Sequence, residues 1–202
     1  MHIPPGGWSR RNAEEGNMDK DNLYPHDLIE TDRLRLRPLR RHDIEDLYRL
    51  KTDPLTVKYT EQEVHRSRGE TESFISYINE GIQMQRWVYY VLADRESDRL
   101  IGTITLWNFN AGRDVAEVGY ELLPEYWGKG LMREAMEKIL DIGFHKLELK
   151  KIEAFTSSRN RESLQLLNRF SFEFVKNVYN EEKKELSEFI ILKLESGDYR
   201  SA

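Results

Sequence analysis

"EVGYELLPEYWGKGLMREAMEKIL", residues 117–140, begins as a strand, turns at Pro124, Gly128 and Gly130, and ends as a helix. Glycine in a helix costs about 1 kcal/mol against alanine. Two glycines at the mouth of a helix therefore point to a turn that needs bare backbone. A helix N-terminus carries unpaired N–H groups and the positive end of the helix dipole, and glycine lets a diphosphate approach them with no Cβ in the way. Lys129 and Arg133 add positive charge beside the turn. Trp127, Gly128, Lys129, Gly130, Leu131, Met132 and Arg133 are thus candidates for holding an anionic cofactor. The bland alternative is a glycine-bearing loop with no ligand. Two nucleotide patterns do not fit. The G-x-x-x-x-G-K-[ST] loop is absent, and Arg133 stands where G-x-G-x-x-G needs its third glycine.

In the strand that feeds the turn, Ala116, Val118, Tyr120 and Leu122 share one face, which reads as core. Glu117, Gly119 and Glu121 share the other, placing two carboxylates and a gap where a cleft can lie. After the turn, Met132, Ala135, Met136, Ile139 and Leu140 form one helical stripe. Further out, "RLRLRPL" alternates as a first strand, with its arginines on the face opposite Leu34 and Leu36. Asp43 is placed to cap a helix that ends before Asp53-Pro54. Phe74, Ile75, Ile78 and Ile82 mark a second helix. "WVYYVLA", "LIGTITLWNF" and "VAEVGYELL" are strands joined by short turns. "KIEAFTS" is a strand, "NRESLQLLNRF" a helix, and "FEFVKNVY" and "LSEFIILKL" a closing strand pair. The order β-α-α-β-β-β-α-β-α-β-β predicts an α/β (α+β) fold. Its mixed, mostly antiparallel sheet has about seven strands, with helices on both faces.

The chain has 202 residues, enough for one domain with its own core. No cysteine is present, which excludes disulfides, thiolate metal sites and a cysteine nucleophile. The net charge of -5 and the lack of a basic stripe argue against nucleic acid and favour an amine-bearing partner. No apolar run approaches the roughly 18 residues of a membrane span, so the expected setting is cytoplasmic, away from membranes. Residues 1–27 are polar, with Pro4, Pro5, Gly6 and Gly7 together, and read as a flexible tail before a domain over 28–202. The five histidines do not pair as ligands and no metal is expected. His65 falls in a polar loop, while Trp107 and Tyr89 are candidates for lining an acceptor pocket.

"AEVGYELLPEYWGKGLMREAM" resembles the acetyl-CoA-binding motif of the GNAT acetyltransferase superfamily, a strand followed by [R/Q]-x-x-G-x-[G/A]. Trp127, Gly130 and Met132 hold its first, fourth and sixth positions, and only Gly130 matches strictly. W-G-K-G-L-M followed by Glu134-Ala135 is similar to the RimJ/RimL branch, as is "IETDRLRLRPLRRHDIEDLYRL". "NRESLQLLNRFSFE" resembles that branch's N-x-x-S-x-x-L-L-x-x-x-G-F segment, with Ser171 replacing the glycine, so that turn's backbone is expected to differ. The resemblance runs from about Leu28 to Leu194.

It implies transfer of an acetyl group from acetyl-CoA to a primary amine by direct attack, leaving coenzyme A. The acceptor it implies is the N-terminal amine of a ribosomal protein. Alternatives are a small amine (polyamine, amino acid or antibiotic) or an acyl-CoA-binding sensor without turnover, and a homodimer stays open. Glu117 sits where some superfamily members carry their general base, with Glu121 as second candidate. The strand end at Leu122 and Leu123 is implied to lie along the pantetheine arm, where an N–H can stabilise the oxyanion. Asn160 is implied to bond the same arm. The tyrosine acid common in N-acetyltransferases is replaced by Leu167, so Ser163 becomes the candidate thiolate donor. Asn160 and Ser163 also read simply as helix-start residues.

Overall fold

The computed structural model describes residues 28–60, 64–180 and 185–200. The tail expected over residues 1–27 lies outside them. The elements are β1 (Ile29–Glu30), β2 (Leu34–Arg37), α1 (Ile44–Thr52), α2 (Pro54–Val57), α3 (Arg68–Gln83), β3 (Val88–Asp94), β4 (Leu100–Trp107), β5 (Val115–Leu122), α4 (Leu131–Asp141), β6 (Lys151–Ser157), α5 (Arg161–Arg169), β7 (Glu173–Asn180) and β8 (Glu185–Glu195). Short 3₁₀ turns at Arg41–Asp43 and Pro124–Tyr126 precede α1 and lead towards α4.

One sheet of eight strands runs in the order β1-β2-β3-β4-β5-β6-β8-β7. The extra strand over the expected seven is the two-residue β1, which folds back on β2 with Ile29 opposite Leu36. Every neighbouring pair is antiparallel except β5 and β6. These two pair in parallel only from Val115–Lys151 to Val118–Ala154. Beyond that point β5 runs to Leu122 and β6 to Ser157 without pairing, so the sheet opens like a V.

Helices cover both faces. On one face α4 and α5 pack Met136, Ile139 and Leu167 against Val118, Ile152 and Leu192. On the other, α1 and α3 pack Leu47, Leu50, Phe74 and Ile78 against Tyr89 and Val91. Strand β3 is apolar on both faces because it is covered on both: Val88, Tyr90 and Leu92 face one cluster, Tyr89, Val91 and Ala93 the other. Tyr89 is therefore a core residue, edge-on to Phe74, and not part of an acceptor pocket.

Two local readings change. Arg37 was expected on the outer face of β2, yet it is only 1% exposed. Its Nη1 and Nη2 donate to Asp43 Oδ2 (2.8 Å) and Oδ1 (2.7 Å), and its Nε to Asp98 Oδ1 (3.1 Å). Asp43 stands at the N-cap of α1 without capping it, because its carboxylate takes Arg37 and the Arg40 N–H instead. Ser171 adopts φ 61, the left-handed conformation that glycine holds at no steric cost. The turn after α5 thus holds a serine in a conformation that strains it.

Relief of that strain predicts that Ser171→Gly raises unfolding free energy by about 0.5–1 kcal/mol. Urea unfolding of the two proteins checks this, and a less stable variant refutes it.

Candidate active site

The glycine turn takes its shape from backbone geometry. Gly128 and Gly130 lie at φ 71 and 75, where a Cβ is costly. Gly130 is the N-cap of α4 and brings no side chain to satisfy the first amides of the helix. The Glu134 N–H accepts no ligand role, being bonded to Gly130 O (3.2 Å), so the N–H groups of Leu131, Met132 and Arg133 are the orphans.

Side chains brace the turn from below. Arg33 Nη1 donates to Lys129 O (2.7 Å), and its Nε and Nη2 lie 2.9 Å from Glu134 Oε2. Thr31 and the Arg33 N–H also donate to Glu134. Burial pushes the Glu134 carboxyl up, but these bonds and the guanidinium charge outweigh it and hold the group below the usual carboxylate range. Trp127 Nε1 donates to Leu122 O (2.6 Å), tying the turn to the end of β5, and Lys129 Nζ lies over the Tyr126 ring.

All the residues from 127 to 133 line one groove of about 570 Å³, together with Leu122, Asn160 and Ser163. The groove begins at the open V and also touches Tyr120, Glu121, Leu55 on α2 and Tyr59 just beyond it. Arg169, from the far end of α5, adds a third cation to Lys129 and Arg133. Two candidates fall outside this lining. Leu123 is buried in the α1–α3 core, and its N–H donates to Ile101 O (2.9 Å). Antiparallel ladders alternate, so the N–H groups of 119, 121 and 123 turn towards β4, and those of Tyr120 and Leu122 towards the V. Glu117 sits further back on β5, opposite Trp107 and Glu153, and accepts from Asn108 Nδ2 (3.3 Å).

Three hydroxyls meet at the V. Thr156 Oγ1 donates to Ser163 Oγ (3.0 Å), and Tyr120 Oη lies 2.7 Å from the same oxygen. Burial raises the Tyr120 pKa, so the phenol keeps its proton. Asn160 Oδ1 caps α5 by accepting the Ser163 N–H (3.1 Å), which leaves its NH₂ for the groove. Sequence reading missed Tyr120, which alternation put among core residues. The signal was there: its face is core only while β6 lies alongside.

Glu121 lies under the groove floor with 8% of its side chain exposed. Lys51, at the end of α1, donates to Oε1 (2.9 Å) and Oε2 (2.7 Å) of Glu121 and is 5% exposed. His65 lies in the loop before α3, as expected, but its side chain is buried next to this pair and bonded to Thr71 Oγ1 (2.8 Å). Burial, then Lys51, pushes its pKa down, so it stays neutral at pH 7. Among the described residues no three of His, Cys, Asp and Glu come together as a metal site. No helix among them is long and apolar enough to cross a membrane.

A V-shaped opening in a mixed sheet, floored by a helix N-terminus with three free amides, defines a protein that binds an anionic cofactor beside a buried hydroxyl cluster. Residues 33–173 match the acetyltransferase (GNAT) domain family, and the chain belongs to that family. It is 32% identical over 148 residues to the uncharacterized N-acetyltransferase p20 of Bacillus licheniformis, spanning 73% of this chain and 83% of that one. The fold is shared with spermidine N-acetyltransferase from Vibrio cholerae in complex with CoA and spermine (TM-score 0.71, 24% identity, 84% of this chain and 99% of that one). It is also shared with ribosomal-protein-S5-alanine acetyltransferase from Vibrio fischeri (TM-score 0.67, 20% identity, 86% and 98%). The protein is an acetyl-transferring enzyme of a family that uses acetyl-CoA.

Two measurements test this architecture. Gly130→Val, which forces a β-branched residue to positive φ, is expected to weaken coenzyme A binding at least tenfold by calorimetry, and unchanged affinity refutes the turn as cradle. Glu134 has a depressed pKa in the fold, so its contribution is present above its ordinary value of 4.5 and is lost as pH falls through the lowered folded value. Glu134→Gln should therefore lose stability relative to the parent at pH 7, with the gap closing towards pH 3 in thermal melts. A gap independent of pH would refute it.

Proposed function

We propose that the protein moves the acetyl group of acetyl-CoA to a primary amine by direct attack, and that the amine is the N-terminal amine of a protein, as in the RimJ/RimL branch. The observation that carries the reading is the start of α4: three free amides on a glycine turn, facing the V between β5 and β6. Those amides, with Lys129, Arg133 and Arg169, suit a diphosphate. The groove continues past Tyr120 and Ser163 to the surface at α2, where exposed Leu55 and Trp127 leave room for a chain end.

Each residue has a part in the chemistry. When bound, acetyl-CoA supplies an activated acyl group. The Leu122 N–H, turned into the V, meets the negative charge that builds on the carbonyl oxygen. Glu117 takes a proton from the acceptor ammonium, directly or through water, and so frees the neutral amine that attacks. It suits this task better than Glu121, whose carboxylate already accepts two bonds from Lys51. Ser163 Oγ can accept from both Thr156 and Tyr120, which leaves its own hydrogen for the sulfur. One proton goes to Glu117 before attack; the second, shed by the nitrogen of the tetrahedral adduct as the amide forms, replaces the one that Ser163 gives to the thiolate as the C–S bond breaks.

The small-amine reading is favoured by a sequence relative, the spermidine N(1)-acetyltransferase of Escherichia coli (25% identical over 170 residues), and by the spermine-bound neighbour with the same fold. A thiol-release assay with N-terminal peptides, polyamines and amino acids separates the two. Release with peptides above polyamines supports the proposal. Binding of acetyl-CoA with no release from any amine would instead favour a sensor. Glu117→Gln is expected to lower kcat about 100-fold at pH 7, and Ser163→Ala to lower it at least tenfold with coenzyme A affinity unchanged. An unchanged rate removes the residue from its role.

A further inference from the structure

We propose that Phe155 and Phe189 seat the acceptor's first side chain: stacked on the uncovered face of β6 and β8, they select an amine whose first residue is large and apolar. The inference rests on the reading of Glu117 as base and of a protein N-terminus as acceptor.

The two sides of the sheet carry different parts of the chemistry. Tyr120, Ser163 and the turn before α4 lie on the side of α4 and α5. Glu117 lies on the other side. Its cross-strand partner Trp107 packs against the core under α1 and α3, while Val118 next to it belongs to the core under α4 and α5. An amine that gives its proton to Glu117 therefore arrives on the α1–α3 side, opposite the cofactor, and meets the thioester through the V.

On that side the helices stop short. Among the described residues, the core under α1 and α3 holds none from β6 or β8. Ile152, Ala154, Ile190 and Leu192 turn to the α4–α5 core, so alternation puts Phe155, Phe189 and Ile191 on the uncovered side. The rings of Phe155 and Phe189 stack with centroids 4.8 Å apart and planes at 7°. Ile191 stands opposite Phe155. All three side chains are partly exposed, and none belongs to either core. Apolar surface left in water gains by being covered.

The shelf lies where a first side chain must go. Glu117 is level with Glu153, so Phe155 is the next residue of β6 on that side, at the point where the strands part. The opposite direction is closed. Trp107 leans over Gly119 from β4, and its Nε1 lies 3.5 Å from where a Cβ on Gly119 would stand. With the nitrogen at Glu117 and the peptide leaving towards α2, the group that branches at the first carbon is left the β6 side. A leucine or methionine there covers the rings, whereas a serine leaves them wet.

The test uses short peptides that begin with Leu or with Ser and are otherwise identical. Binding to the coenzyme A-loaded protein is measured by calorimetry, and thiol release from acetyl-CoA separately. The unaltered protein is expected to prefer the Leu peptide about tenfold in both. Phe155→Ser and Phe189→Ser should each bring the ratio close to one, and Phe189→Leu should keep it, with coenzyme A affinity unchanged in all three. A ratio near one in the unaltered protein, or a tenfold ratio that survives both serine variants, overturns the proposal. So does a dimer in sedimentation that the serine variants split while the peptide ratio stands, since the shelf then seats a second copy of the chain. If the serine variants do not fold, the ratio in the unaltered protein decides. Preferred binding of the Leu peptide with no thiol release upholds the shelf and removes the turnover reading. Release that ignores the first residue keeps turnover and overturns the shelf, and binding of neither peptide overturns the inference.

Discussion

Four residue pairs, Val115–Val118 on β5 against Lys151–Ala154 on β6, are the constraint from which the site follows. Two parallel strands need a crossover, and α4 supplies it. Once the strands part after Val118, the backbone of Tyr120 and Leu122 has no strand partner on that side. Ligands of open α/β sheets sit beyond the carboxyl ends of parallel strands. Here the N-termini of α4 and α5 both start at those ends, so Gly130 and Asn160 come to one groove although they are far apart in sequence. Had β5 and β6 paired to their ends, Tyr120 would be a core residue and Ser163 would face a closed sheet.

The two ends of the groove differ in how they treat charge. At the α4 end, Arg133 pairs with Glu137 (3.7 Å), but the first amides of the helix have no partner within it, which is costly without an anion to meet them. Glu134 is the exception, and it is turned away from the ligand side to hold Arg33, Thr31 and hence the carbonyl of Lys129. At the α1 end, carboxylates come with their counter-ions. A buried pair of this kind is weak evidence for stability, because desolvation offsets most of the attraction.

The sequence carried the glycine turn plainly, because Gly128 and Gly130 are required by positive φ and such a requirement survives in one-letter code. The element order was legible for the same kind of reason: period-two and period-3.6 patterns reflect local geometry. What alternation cannot report is where a neighbouring strand stops. Tyr120 was read with Ala116 and Val118 as core, and Leu123 with Leu122 as groove, and each belongs to the other environment. Nor can it report partners distant in the chain. Arg37 with Asp98, and Lys51 with Glu121, are pairs formed across layers, and in each a residue that looks like surface is buried by its partner. Ser171 shows the converse: a positive φ held by a residue with a Cβ, which the one-letter code does not announce.

The hydroxyl cluster explains why Leu167 can stand where related enzymes carry a tyrosine. Leu167 is fully buried in the α4–α5 core, one turn beyond Ser163 on the same side of α5, and does not line the groove. A phenol there would have to displace apolar packing to reach the groove. In this chain the phenol arrives from the opposite side, as Tyr120 on β5, and meets Ser163 on the first turn of α5. Asn160 fixes that turn by capping it, and Thr156 fixes the serine oxygen by donating to it. With burial keeping Tyr120 protonated, Ser163 can accept from both neighbours and keep its own hydrogen for the groove. The same helix start that makes Ser163 look like an ordinary first-turn residue is what aims its hydroxyl into the gap between the strands.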